Sequence, residues 1–160
     1  MLKQVNRGPL SETATVASQL GQPGEWRFGT GTDAGWYQLV YINSTASYGH
    51  VLQSFTGATN VGYWVVPLIV SNVKPVGVLN QIATNATVAA STYAWVQRKG
   101  MGVCSIASTA SVDVNLPLMP TDSAGLMASV ISDVPGRAMC GGYSFKSVDT
   151  GPQQIMIDMI

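Results

Sequence analysis

The sequence predicts an all-β fold: a compact β-sandwich or β-barrel-like domain of short antiparallel strands, with an extended N-terminal arm. Three observations predict it. Nineteen Val, thirteen Thr and eight Ile stand against two Glu and four Lys, so the residues that suit a pleated surface far outnumber the charged ones that coat exposed helices. Seventeen Gly and eight Pro interrupt the chain every few residues, as turns between short strands require. Short apolar or alternating runs recur between those interruptions.

The elements follow in order. Residues 1–35 differ from the rest and read as an arm or long loop, ahead of a β domain over 36–160. Thr13 to Leu20 has room for two helical turns, capped by Ser11 or Thr13. Gly21-Gln22-Pro23-Gly24 and Gly29-Thr30-Gly31-Thr32-Asp33-Ala34-Gly35 then form loops. The alternative for this region is an edge strand followed by a loop. Strands are expected at Trp36–Asn43, His50–Phe55, Val61–Val70 (bent or split at Pro67) and Val76–Leu79. Tyr93–Arg98 runs into Gly100-Met101-Gly102, which reads as a hairpin turn with Val103–Ala107 returning. Val112, Val114 and Leu116 alternate with Asp113 and Asn115, and Leu126–Ile131 follows a turn. In the last strand Ile155, Ile157 and Met159 share one face and Met156, Asp158 and Ile160 the other, so cover on both sides is expected.

Composition excludes several functions. A chain of 160 residues is long enough to bury a core without disulfides or metal. Eight Lys+Arg balance eight Asp+Glu, so no basic footprint for nucleic acid exists. The apolar content, 46%, argues against disorder. The longest apolar stretch, Val61–Val70, is too short and too broken to span a membrane as a helix. Met1 to Pro9 shows no apolar run of the kind a signal peptide needs. Only 10% of residues are charged, against about 25% in an ordinary soluble domain. Two explanations stay open: a monomer with a hydroxyl-rich coat, or a subunit largely covered by neighbours. The second is favoured, because charge depletion marks interface cores.

No catalytic constellation emerges. His50 is the sole histidine and has no ligand spacing around it. Cys104 and Cys140 form no Cys-x-x-Cys pair and are expected as reduced, buried thiols. Ser71-Asn72-Val73-Lys74 matches Ser-x-x-Lys, but its partner motifs are missing and Pro75 follows at once. Gly29 to Gly35 misses the dinucleotide spacing. Asp113, Asp122 and Asp133 are not paired by any pattern, and the sequons at Asn43 and Asn85 matter only after secretion. The expectation is a non-enzyme without cofactor or metal. Among the aromatics, Trp26, Trp36, Trp64 and Trp95 with Tyr37, Tyr41, Tyr63 and Tyr93 read as core, the alternative being a surface Trp trio that stacks on sugar rings.

One passage is more specific. Val76-Gly77-Val78-Leu79 is followed, after a spacer, by Thr92-Tyr93-Ala94-Trp95-Val96-Gln97-Arg98-Lys99-Gly100. Val112 to Leu116, the Thr121–Gly125 turn and Pro135-Gly136-Arg137-Ala138 come next, and Trp36–Ile42 with Ser47–Leu52 precede them. The pattern, over roughly residues 36–140, resembles the small capsid decoration (cement) proteins of tailed bacteriophages. In a strand Tyr93, Trp95 and Gln97 share one face and Ala94, Val96 and Arg98 the other. Tyr93, Trp95, Trp36 and Trp64 are therefore expected as core anchors, and Arg98-Lys99 as an exposed basic pair. Trp26, Phe28, Arg98 and Lys99 are the candidate contacts to a capsid or a neighbouring subunit. The resemblance implies a virion structural protein on the capsid exterior, assembled in the bacterial cytoplasm. Its implied partners are the major capsid protein and other copies of itself, commonly as a homotrimer. A carbohydrate- or receptor-binding β module of a phage fibre or surface protein is the alternative.

Overall fold

A computed structural model describes residues 9–30, 34–54, 64–67, 75–83, 86–107, 117–120, 125–129, 142–144 and 151–159. Twelve strands are formed by these residues: β1 (Trp26–Gly29), β2 (Gly35–Ile42), β3 (Ala46–Ser47), β4 (His50–Ser54), β5 (Trp64–Pro67) and β6 (Pro75–Leu79). They continue with β7 (Thr87–Val88), β8 (Thr92–Ile106), β9 (Pro117–Pro120), β10 (Met127–Ser129), β11 (Gly142–Ser144) and β12 (Gly151–Asp158). The one helical element among them is a 3₁₀ turn at Ala17–Gln19. The fold is all-β and mostly antiparallel, with parallel pairs at β2–β5 and β8–β10.

The pairings close two circuits that share β8. Strand β2 joins β5, β5 joins β4, β4 joins β6, β6 joins β8, and β8 returns to β2. On the other side β8 joins β10, then β9, β11 and β12, which returns to β8. Closure removes the unpaired strand edges that would otherwise invite association. Strand β1 stands outside both circuits. It pairs with β2 from Trp26↔Gln38 to Gly29↔Gly35, so the Gly-rich stretch after Gly29 closes a hairpin.

Alternation along β2 and β8 sends side chains to two packed layers. Val40, Ile42, Ala94 and Val96 pack with Leu52, Val76, Leu79, Ala46 and Val88 on one side. Tyr37, Leu39 and Trp95 pack with Ala14 and Leu20 on the other. A third cluster joins Val51 and Val78 of β4 and β6 to Cys104, Ile106, Ile155, Ile157 and Met159.

Several expectations change. Gly100-Met101-Gly102 does not reverse the chain: β8 runs straight through it for 15 residues. The glycines serve close approach instead, since a Cβ at Gly100 would strike the backbone of Ala34 and Gly35. Strand β12 is covered on one face only, with Ile155 and Ile157 buried and Gln154 and Asp158 exposed. The two helical turns expected at Thr13–Leu20 reduce to the 3₁₀ turn, because Ala14 exchanges backbone hydrogen bonds with Tyr93. Ala14 and Leu20 pack with Tyr37, Leu39 and Trp95, and residues 26–29 pair with β2. Cys140, Val112–Leu116, Ser71–Lys74, Asp122, Asp133 and Asn85 lie outside the described residues.

Candidate functional site

Three aromatic residues of the β1–β2 hairpin, Trp26, Phe28 and Trp36, gather on one face. Trp26 and Phe28 are two apart on β1, and their register partners on β2 are Gln38 and Trp36. Phe28 and Trp36 stand directly opposite and meet edge to face, with ring centroids 5.3 Å apart at 68°, the arrangement their quadrupoles favour. All three aromatics are exposed: Trp26 by 40%, Phe28 by 56% and Trp36 by 45%.

Trp36, expected as a core anchor, is therefore a surface residue. It shares a face with Val40 and Ile42, but the pairing of β2 with β5 begins only at Tyr41. The covering layer ends before it reaches position 36. Trp95 is 1% exposed, and the Arg27 guanidinium lies 5.0 Å above its ring. Tyr93 is half-buried and meets Tyr41 edge to face at 5.1 Å. Trp64 lies in β5, and its side chain is outside the described set.

The β2–β8 register slips between Trp36 and Tyr37, which pair with Lys99 and Gln97 and leave Arg98 as the extra residue of a bulge. Arg98 stays on the face of Val96 and is half-buried against Trp26, where an exposed basic pair was expected. Its guanidinium donates to Gln38 Oε1 at 2.5 Å and to the Met159 carbonyl at 3.0 Å, and lies 5.3 Å from the Trp26 ring centre. Gln38 in turn donates to the Gly24 carbonyl at 3.2 Å. Burial lowers the Arg98 pKa from its usual value, yet a guanidinium stays protonated in proteins. Lys99 does face solvent, where its Nζ lies 3.7 Å from Asp158 Oδ1. Such a half-exposed pair contributes little stability.

Gln38 and the Met159 carbonyl escape a sequence reading because only strand register brings them to Arg98. The visible signal was the Gly29–Gly35 loop, which as a hairpin fixes Trp26 opposite Gln38.

The histidine and the described cysteine lie elsewhere. His50 packs its ring against Gly125, its Nδ1 is buried without a hydrogen-bond partner, and burial lowers its pKa. Cys104 is a free, fully buried thiol whose pKa burial pushes up, an unreactive state for a cysteine. Among the described residues no three His, Cys, Asp or Glu side chains cluster as metal ligands. The β1–β2 face offers aromatic area, one locked cation and one exposed ion pair.

A scan against protein-family models gives no match, and a search of curated proteins gives none either. Among solved structures, the chain is similar to the N base of the head fibre gp8.5 of bacteriophage phi29. The match has a TM-score of 0.50 and 14% sequence identity, and it covers 77% of this chain and 93% of that one. The likeness is one of fold.

Proposed function

We propose that this chain is a structural protein of a phage virion, a β subunit that decorates the head by binding across neighbouring capsid subunits. The observation that carries the reading is the fold shared with a phage head-fibre base across almost all of that base. The low charge content and the exposed Trp26, Phe28 and Trp36 support it, because a subunit held between neighbours needs apolar contact area. In this proposal the protein is a homotrimer on the capsid exterior. Its partners are the major capsid protein and its own copies, with no cofactor, nucleic acid or membrane. Several modest contacts per particle then add up to firm attachment.

Purified heads lacking this chain, mixed with the purified protein and imaged, test the proposal. Regular extra density on the shell is the expected result. Bare heads at micromolar protein would overturn it.

The same exposed aromatics favour a second reading, a receptor- or carbohydrate-binding module of a phage fibre. Micromolar or tighter binding to one sugar class on a glycan array, lost in Trp26→Ser, would select it over head decoration.

A further inference from the structure

The large apolar side chains exposed among the described residues fall in two places. Trp26, Phe28 and Trp36 form the β1–β2 face, and Val16, 52% exposed, lies in the N-terminal segment. A single exposed Val is ordinary, but the two places differ in charge. Beneath the aromatics, Arg98 has no carboxylate within ion-pair distance among the described residues, while Lys99 is matched by Asp158. Among the described residues that face carries one positive charge without a carboxylate partner. Val16 is accompanied by the exposed Glu12, the two flanking Ala14 on either side. No cation among the described residues lies within ion-pair distance of Glu12.

Within one chain the two surfaces cannot meet. Ala14 is fixed to Tyr93 by two backbone hydrogen bonds, whereas Trp36 pairs with Lys99, six residues further along β8. That separation is about 20 Å at ~3.3 Å per residue. The segment carrying Ala14 also covers the face of Tyr37, Leu39 and Trp95, and the aromatic patch stands on the opposite one.

We propose that the two surfaces are the halves of one contact between copies of this chain. The Glu12–Val16 surface of one copy packs on Trp26, Phe28 and Trp36 of the next, and its Glu12 carboxylate pairs with Arg98. The inference rests on the homo-oligomer proposed above and names its interface. A contact between two different surfaces is heterologous, and such contacts close into rings when the rotation allows, a trimer among them. Two copies of the aromatic face placed against each other would bring the two Arg98 guanidinium groups together in a dry interface, which is costly. A sugar ring is served less well, because Phe28 and Trp36 stand at 68° and one face of Trp26 is taken by Arg98. Branched aliphatic groups with a carboxylate beside them suit the patch better.

The test uses the full chain with Cys140→Ser, in which Val16→Cys and Phe28→Cys are made singly and together. Under mild oxidation the two single variants are expected to cross-link when mixed, with no Phe28→Cys self-dimer. The double variant is expected to give a covalent ring. Without oxidation, Glu12→Lys is expected to raise the dissociation concentration measured by sedimentation about tenfold, and Phe28→Ser to raise it as well. A chain that sediments as a monomer throughout overturns the oligomer and the contact together. An oligomer that forms no mixed cross-link and ignores both Glu12→Lys and Phe28→Ser leaves the oligomer standing and overturns this contact. Efficient self-cross-linking of Phe28→Cys overturns it too.

Discussion

The side-chain amide of Gln97 fills the space in which a side chain at position 102 would stand. Gln97 Nε2 donates to the Met101 carbonyl at 2.7 Å, and its Oε1 accepts from Asn80 Nδ2 at 2.5 Å. A Cβ on Gly102 would collide with Gln97 Oε1 and stand 2.5 Å from Asn80 Nδ2 and 2.7 Å from Ile157 Cδ1. Gly35 is equally confined, 2.6 Å from Gln97 Nε2 by the same measure. The buried amide therefore locks its own strand to Asn80, just after β6, with both polar ends satisfied. It sits on β8, the strand common to both circuits.

Gly102→Ala is expected to destabilise the domain by about 1–3 kcal/mol, the cost of forcing an extra carbon into a packed interior. None of the three colliding groups can move away without breaking a hydrogen bond or the packing of Ile157. Urea unfolding measures the difference. A loss under about 0.5 kcal/mol would mean that the Gln97 amide is free to relocate.

Trp95→Ala is expected to cost about 3–5 kcal/mol, as for other fully buried large aromatics cut to a methyl. Its ring packs with Ala14, Leu20, Tyr37 and Leu39. Trp95→Phe should cost distinctly less than the lost area suggests, because the indole Nε1 is buried without a hydrogen-bond partner and its removal relieves that penalty. Paired denaturation curves of the two variants decide this, and equal losses would contradict it.

What the sequence made legible follows from what each signal measures. The β-branched excess reports strand content, and strands β2, β4 and β6 fall within one residue of their expected limits. Gly-x-Gly reports room for backbone, not direction, so Gly100 and Gly102 were read as a turn where they provide clearance. Alternation reports which residues share a face but not how far the covering layer extends, hence the exposed Trp36. Arg98 keeps the face that alternation gives it, shared with Val96 and turned toward Gln38, but alternation does not show that Trp26 covers it there. The cation under Trp26 is a product of tertiary register, which no local pattern encodes.

Stability is expected to fall as pH drops below about 6.5. Burial lowers the His50 pKa from its ordinary 6.5, so the unfolded chain takes up a proton at a pH where the native one still resists it. In that window the unfolded state binds more protons, and stability rises with pH. The contribution is complete above pH 6.5 and is lost on acidification towards the native value. His50 is the chain's one histidine, and free carboxylates titrate near 4, so the effect is assignable. Urea midpoints at pH 7.5 and 5.5 should differ in the native sequence and converge in His50→Gln. A midpoint that rises at pH 5.5 would refute the assignment.

A chain beginning at Gly35 is expected not to fold cooperatively. The deletion removes Ala14 and Leu20, with the partly buried Leu10, from the layer over Tyr37, Leu39 and Trp95. It also removes β1, leaving the first half of β2 with an unpaired edge. Exposing a buried Leu or aromatic side chain costs roughly 1.5–3 kcal/mol, and three of them stand to be uncovered. That sum is comparable with the whole stability of an ordinary domain, about 5–15 kcal/mol. The freed edge and the bared aromatics would further favour aggregation. Circular dichroism melting of the truncated chain measures the outcome, with a broad or absent transition expected. A sharp melt within a few degrees of the full chain would show that the β circuits hold without residues 9–30. Those residues would then be free to serve only the contacts that the chain makes with others.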